Sequence, residues 1–289
     1  MIICLKCNSR FYNTNYLCPE CGYSPEFQNG IPEFAPHLAM KNEGFRPEYF
    51  QDLFDIENKL FWFKYRNNLL QDLLNIYFPN IKNFCEIGCG TGYVLSAFSS
   101  KRPEIYYTGS EIYSIALSLS LYRNPSTRFI QADACRLPFE DEFDVTAAFD
   151  VLEHIDDDEL VLKNMFQATH HHGGIMITVP QHKWLWSKQD EASDHRRRYS
   201  LEGLKSKINN AGFTIERMSS FVTLLLPVML LSRINLRLTK HTVDPMRALK
   251  IPRILNSVFY KVCMIEKSLI TRGFNLPIGG SLVCIARKI

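Results

Sequence analysis

The sequence lacks any run of the roughly 20 apolar residues that a membrane-spanning helix requires. Its longest candidate, Phe221 to Leu231, is about half that length. The N-terminus, Met-Ile-Ile-Cys-Leu-Lys-Cys, has no charged n-region, apolar h-region or cleavage site, so no secretory signal is expected. Charge of one sign is scarce as well. The 33 Lys and Arg face 30 Asp and Glu, a net charge of +3 that argues against a general nucleic-acid binder. There is no internal repeat and no low-complexity tract. A chain with 46% hydrophobic and 22% charged residues is not disordered over most of its length. Its 289 residues allow one large domain with an appendage, or two small domains.

Cysteine is not scarce, and its placement is uneven. Four of the nine form Cys4-Leu-Lys-Cys7 and Cys18-Pro-Glu-Cys21, a C-x2-C-x10-C-x2-C pattern. Each pair makes a tight turn that aims two thiolates at one point, and two such turns give a tetrahedral sulfur site suited to Zn²⁺. A segment this short cannot bury enough core to fold alone, so the metal supplies the folding free energy. Four thiolates leave no open position, so the zinc is expected to be structural. The competing reading, two redox CxxC sites, lacks the βαβ context such sites occupy. Scattered free cysteines beside such a cluster point to a reducing, cytoplasmic location.

From residue 81 onward strands and helices alternate. Strands are expected at Asn83–Gly88, Ile105–Ile112, Arg128–Ala132, Phe143–Phe149, Gly174–Val179, Phe213–Ser219 and, closing the chain, Gly280–Arg287. Helices are expected at 93–100, 114–122, 156–169 with Asp156 as its cap, and 200–210 with Ser200 as its cap. Before this, residues 37–80 read as helical, with Phe61, Trp62, Tyr65, Leu69, Leu73 and Ile76 at the spacing of one face. After it, 221–238 and 254–270 read as two helices. The expected fold is α/β: a Rossmann-like, doubly wound, mostly parallel seven-stranded sheet with a small N-terminal zinc ribbon and a C-terminal helical insertion. The expected divisions are a ribbon at 1–36, a helical cap at 37–80, the core at 81–220 and 280–289, and the insertion at 221–279.

The first strand runs into Glu86-Ile-Gly88-Cys89-Gly90-Thr91-Gly92 and then a helix. Glycines at alternate positions let the backbone turn tightly and approach a ligand. Glu111 ends the second strand, where an acid can accept both ribose hydroxyls. Asp133 ends the third, where a carboxylate can accept from an adenine amino group. Two cofactors fit such a crevice, a nicotinamide dinucleotide and S-adenosylmethionine. The dinucleotide fingerprint is G-x-G-x-x-G, whereas this loop is G-x-G-x-G. Glu86 just before the loop would repel a pyrophosphate but suits an ammonium or sulfonium ligand. S-adenosylmethionine is therefore the expected cofactor.

The stretch from about 60 to 219 resembles a class I S-adenosylmethionine-dependent methyltransferase. The resemblance is carried by Glu86 to Gly92, Gly109-Ser-Glu111, Gln131-Ala-Asp133-Ala134 and Gly173 to Pro180. Asp150-Val-Leu-Glu153-His154-Ile155 after the fourth strand is similar to the ubiquinone-type branch. Asp194-His195-Arg-Arg-Arg198-Tyr199 is similar to a bacterial subgroup of that family. The first 35 residues resemble zinc ribbons fused ahead of bacterial methyltransferases. The resemblance implies that Gly88, Gly90 and Gly92 border the methionine part, that Glu111 binds ribose, and that Asp133 and the Ala134 backbone hold adenine. Asp150 belongs to the same cofactor-binding set. It further implies that Trp62, Phe63 and Arg66 lie on a helix closing over the cofactor, with Arg66 a partner for the methionine carboxylate.

Methyl transfer is an in-line displacement, so the protein mainly aligns nucleophile and methyl. A general base is needed only for an acceptor protonated near pH 7. His154, His195 and Tyr199 are the candidates. Arg196 to Arg198 are either a solvated face or a site for an anionic substrate group. The tail combines the apolar run 221–231 with six basic residues up to Arg253, against Asp244 as the single acid. It reads either as a lid over the acceptor or as an interfacial anchor over 221–253 on anionic lipid. The function expected is methyl transfer to a small-molecule or lipid-linked acceptor, such as a cell-envelope saccharide or a quinone-like compound. Two alternatives stand beside it, an RNA base methyltransferase and a non-catalytic partner-binding scaffold.

Overall fold

A computed structural model describes residues 1–39, 48–238, 244, 246 and 249–289. The N-terminal segment forms β1 (Ile2–Ile3) and β2 (Arg10–Phe11), an isolated pair, then β3 (Glu26–Gln28) and β4 (Ile31–Glu33). Helices α1 (Pro36–Ala39), α2 (Tyr49–Ile56) and α3 (Phe61–Tyr77) follow; residues 40–47 of the expected helical cap lie outside the described residues. The alternating region gives β5 (Asn83–Ile87), α4 (Tyr93–Lys101), β6 (Tyr106–Glu111), α5 (Ser114–Arg123), β7 (Arg128–Gln131) and β8 (Phe143–Phe149). Then come α6 (Asp158–Ala168), β9 (Thr169–Pro180), α7 (Lys188–Ala192), α8 (Leu201–Asn210) and β10 (Phe213–Phe221). The chain closes with α9 (Leu226–Leu238), α10 (Arg253–Thr271) and β11 (Ser281–Lys288).

The seven expected strands form one sheet in the order β10-β11-β9-β8-β5-β6-β7, and the β3–β4 hairpin extends it to nine strands beyond β7. β5 lies between β6 and β8 and is parallel to both, so the order reverses there. β11 is antiparallel to both β9 and β10. The fold is thus α/β and doubly wound. Strand alternation builds two cores. Cys85 and Ile87 of β5 pack on one face with Leu162 and Met165 of α6 and Leu204 of α8. Phe84 packs on the other with Leu69 and Leu73 of α3 and Phe98 of α4.

Three local expectations change. Asp157, not Asp156, caps α6, accepting from the Leu160 N–H at 3.0 Å. The strand expected from Gly174 begins five residues earlier and takes in His170 to His172, which the sequence pattern puts at a helix end. The helix expected from Phe221 begins only at Leu226, because Phe221 ends β10 and the turn after it is held by a carboxylate. Glu266 of α10 accepts from the backbone N–H groups of Val222, Thr223 and Leu224, and Val222 takes a positive φ of 60° there. Pro227 then falls in the first turn of α9, where its missing N–H costs nothing, so no kink follows.

A candidate cofactor crevice with a histidine pair at its edge

Gly88, Gly90 and Gly92 have φ of 67°, 52° and 70°, the left-handed region that glycine occupies without penalty. The N–H groups of Gly88 and Cys89 both donate to the Ser110 carbonyl, at 2.7 and 3.0 Å, which folds the loop against the end of β6. A Cβ at Gly88 would lie 2.5 Å from the Val151 side chain. At Gly90 it would meet only Phe50, at 3.7 Å. Gly88 is therefore required by packing, and Gly90 leaves its side open.

That side opens into a cavity of about 340 Å³ outside the carboxyl ends of β5, β6 and β8. Its walls bring together Glu86, Glu111, Asp133, Ala134 and Asp150 with the glycine loop. The Glu111 carboxylate accepts from the N–H groups of Gly90 at 2.9 Å, Ile112 at 2.7 Å and Tyr113 at 3.2 Å. Burial pushes its pKa up, and these three donors oppose that. Asp133 accepts from the Cys135 N–H at 2.8 Å. Glu86 is the unusual member. It is 3% exposed, its Oε2 has no hydrogen-bond partner, and burial raises its pKa to about 8 against the pull of Arg66. Leaving this group ionised without a donor is costly, which is why burial favours its protonated form.

Arg66 also lines the crevice, but it is already engaged with Asp150, which accepts in addition from Thr178 Oγ1 at 3.1 Å. Phe63 lines the crevice too, whereas Trp62 does not; its ring stacks on Phe221 at 5.7 Å and 4°. The sequence pattern places α2 within the expected helical segment 37–80 but gives it no part in the crevice. Phe50 and Leu53 cover the crevice, and Glu57 just beyond the helix accepts from Thr91 Oγ1 at 2.6 and 2.8 Å and from Arg123 Nη1 at 2.8 Å. An acid at the end of an unremarkable helix carries no motif, so only tertiary structure reveals that it pins the glycine loop.

At the far wall His154 lines the crevice, and its ring meets that of His195 edge-on at 4.8 Å. Burial first, then His195, drive the His154 pKa down to about 3, so it is neutral near pH 7. Glu153 beside it is 1% exposed, its Oε2 has no hydrogen-bond partner, and its pKa is raised well above the ordinary carboxyl value by burial and by Asp150. His195 Nδ1 lies 3.1 Å from Asp190 Oδ1, so the other ring nitrogen faces away from that partner. Asp190 also accepts from Arg198 Nε at 2.7 Å and Arg233 Nη1 at 3.3 Å. Burial pushes its pKa up, but these cations and His195 prevail and hold it well below the usual range.

Tyr199 and Arg198 are not on the crevice wall. The Tyr199 hydroxyl donates to Asp158 at 2.6 Å, and Arg198 is buried against Asp190 and the Gln181 carbonyl. Arg197 pairs with Asp158 at 3.1 Å, so this basic run is largely structural.

The four N-terminal cysteines converge. Cys4 and Cys21 Sγ are 3.6 Å apart, as are those of Cys7 and Cys18, and all four lie within 4.8 Å of one another. A tetrahedron with Zn–S bonds of about 2.3 Å has edges near 3.8 Å, so the donor type and the spacing of the set are compatible with a zinc ion. Each C-x2-C turn is followed by a left-handed residue, Asn8 or Gly22, whose N–H returns to the first cysteine's carbonyl at 2.8 or 3.0 Å.

A glycine loop at the topological switch point of a doubly wound sheet, followed by acids closing the next two strands, defines a class of nucleoside-cofactor-binding enzymes. A sequence profile of the methyltransferase domain family matches residues 62–217, more than half of the chain. The chain belongs to that family and is an S-adenosylmethionine-dependent methyltransferase. No curated protein matches it by sequence. Among solved structures it is similar to a protein of Galdieria sulphuraria described as a sarcosine dimethylglycine methyltransferase: 14% identity over 77% of this chain and 85% of that one, TM-score 0.54. It is also similar to phosphoethanolamine N-methyltransferase 2 of Haemonchus contortus with bound S-adenosylmethionine: 17% identity, 83% and 60% coverage, TM-score 0.51. A third is an S-adenosylmethionine-dependent methyltransferase of Thermotoga maritima: 17% identity, 83% and 98% coverage, TM-score 0.51. At these identities the likeness concerns the fold.

Proposed function

We propose that this enzyme transfers methyl to a small-molecule or lipid-linked acceptor of the cell-envelope saccharide or quinone-like kind, presented at the His154–His195 side of the crevice. The observation that carries the cofactor half is the partnerless Glu86 oxygen in a crevice that also holds Glu111 and Asp133. Glu86 would receive the ammonium of the methionine part, Glu111 the ribose hydroxyls, and Asp133 with Ala134 the adenine. Gly88, Gly90 and Gly92 would border the methionine part, and Arg66, held by Asp150, the crevice wall beside it. When bound, the cofactor supplies a methyl group activated by sulfonium. The protein aligns the acceptor and excludes water.

His154 is neutral and only partly exposed at the crevice, as suits a proton acceptor before it acts. Asp190 holds His195 in one tautomer, and the edge contact between the rings gives the pair a fixed geometry. Such a pair suits an acceptor hydroxyl that loses its proton during transfer. Tyr199, engaged with Asp158, has a positioning role at most in this scheme. The four cysteines would hold a structural zinc, making residues 1–36 a ribbon of the kind fused ahead of bacterial methyltransferases.

The test has two arms. Calorimetric titration of S-adenosylmethionine should give saturable binding that Glu111→Ala weakens. Radiolabelled cofactor incubated with fractionated cell extract should label a lipid-linked or small phenolic or saccharide fraction, less so with His154→Gln. Label confined to RNA would overturn the acceptor class; absence of cofactor binding would overturn the site.

A further inference from the structure

We propose that the outward faces of α9 and α10 dock on an anionic phospholipid membrane surface. Among the described residues, ten of the twenty exposed large apolar side chains fall between 224 and 278, a small part of the chain. They follow helical periodicity. On α9 and the turn before it, Leu224, Val228 and Leu231 are spaced by four and three, with exposures of 45%, 45% and 66%. On α10, Ile254, Val258 and Ile265 share one face with exposures of 80%, 47% and 60%, and Lys261 completes the stripe. Burying these groups in the protein would be the usual outcome; leaving two apolar stripes in water is not.

The charge around the stripes is one-sided. Lys250, Arg253, Lys261 and Arg272 are exposed. Among the described residues from 222 to 280 the acids are Asp244 and Glu266, and Glu266 is fully buried. Glu266 accepts from the Tyr65 hydroxyl at 2.6 Å and from the Leu224 N–H at 2.8 Å. The acid of α10 is therefore turned inward, and it ties the root of α9 to the side of α10. Asp72 of α3 pairs with Lys267 of α10, and the exposed cations keep their charge toward solvent. Apolar stripes flanked by such cations complement anionic headgroups over an acyl boundary. No described helix is long and apolar enough to cross a membrane, so the geometry is that of lying on the surface. A second copy of this chain would bring the same cations face to face, which disfavours self-association through this surface.

The polar side of α9 faces α7. Arg233 reaches Ser187 Oγ at 2.7 Å and Asp190 at 3.3 Å, and Asp190 holds His195. On the proposed function, this places the membrane-facing helix next to the acceptor side, so a lipid-linked acceptor could reach it without leaving the bilayer surface.

Vesicle co-sedimentation of the full chain tests the docking without cofactor or turnover. At low salt the protein should pellet with phosphatidylcholine vesicles containing phosphatidylglycerol and remain in the supernatant with phosphatidylcholine alone. Leu231→Glu combined with Ile254→Glu and Ile265→Glu should lower partitioning by about tenfold or more, and Lys261→Glu with Arg272→Glu should do likewise. All five positions are exposed, so circular dichroism and cofactor affinity should match the parent. Binding that these variants leave unchanged would overturn the proposal, as would no sedimentation at low salt. A concentration-dependent dimer abolished by the apolar triple variant, with no vesicle binding, would also overturn it and assign the surface to a second copy.

Discussion

Arg233 of α9 stands 3.3 Å from the buried Asp190, the residue that fixes His195. The two belong to segments 43 residues apart, and their contact joins the C-terminal insertion to the histidine pair. Arg233→Met should destabilise the protein by about 1–3 kcal/mol, because Asp190 stays buried with one fewer donor. It should also change the pH dependence of methyl transfer, since the orientation of His195 depends on Asp190. Thermal melting and a pH–rate profile check this; a variant equal to the parent in both would make the contact incidental.

Glu86 makes a prediction of definite sign. Its folded pKa of about 8 lies above the unfolded value of about 4.3, so the native state holds the proton more tightly. Stability from this group is complete below the unfolded pKa and is lost as pH rises toward 8. Without cofactor, Glu86→Gln should therefore be more stable than the parent near pH 8, by on the order of a few kcal/mol, with little difference near pH 4. The same variant should bind S-adenosylmethionine more weakly. Melting curves at both pH values, with and without cofactor, decide it; a Gln variant less stable near pH 8 contradicts the assignment.

Glu111→Ala should weaken cofactor binding at least about tenfold, equivalent to about 1.4 kcal/mol. It also strips a partner from three backbone N–H groups, so the melting temperature should fall even without ligand. Gly88→Ala should be worse folded than Gly90→Ala, because its Cβ meets Val151 at 2.5 Å whereas that of Gly90 meets nothing closer than 3.7 Å. Equal melting temperatures for the two glycine variants would count against the loop geometry described.

Metal analysis of the purified protein should give about one zinc per chain. Cys18→Ser should lower that ratio and loosen the segment around it, as limited proteolysis would register. Full protection from protease in a zinc-free preparation would show that the sulfur cluster is not what holds the segment.

The main fold is legible because strand and helix periods alternate cleanly from Asn83 to Phe221, and the glycine loop marks the switch point. The cysteine cluster is legible because ligand spacing survives in sequence. What escapes is set by contacts distant in the chain. Glu57 reaches the loop only through α2, and the true start of α9 depends on Glu266, 42 residues away from Leu224. Tyr199 sits in a motif-like run, yet its role follows from Asp158, which no local pattern pairs with it. The β3–β4 hairpin is too short to show alternation, and its place follows from a single pairing of Glu33 with Gln131.

That hairpin bears on how the molecule behaves in a crowd. Without it, β7 would end the sheet as an unprotected edge of the sequence Arg-Phe-Ile-Gln, with a free row of backbone donors and acceptors. Gln131 is instead bound to both backbone groups of Ala35 at 2.9 Å, and the outermost strand becomes Glu26-Phe-Gln28, short, exposed and charged. The N-terminal segment thus works as an end-stop against sheet-to-sheet polymerisation. Chelation should accordingly make the protein turn cloudy before the catalytic core melts.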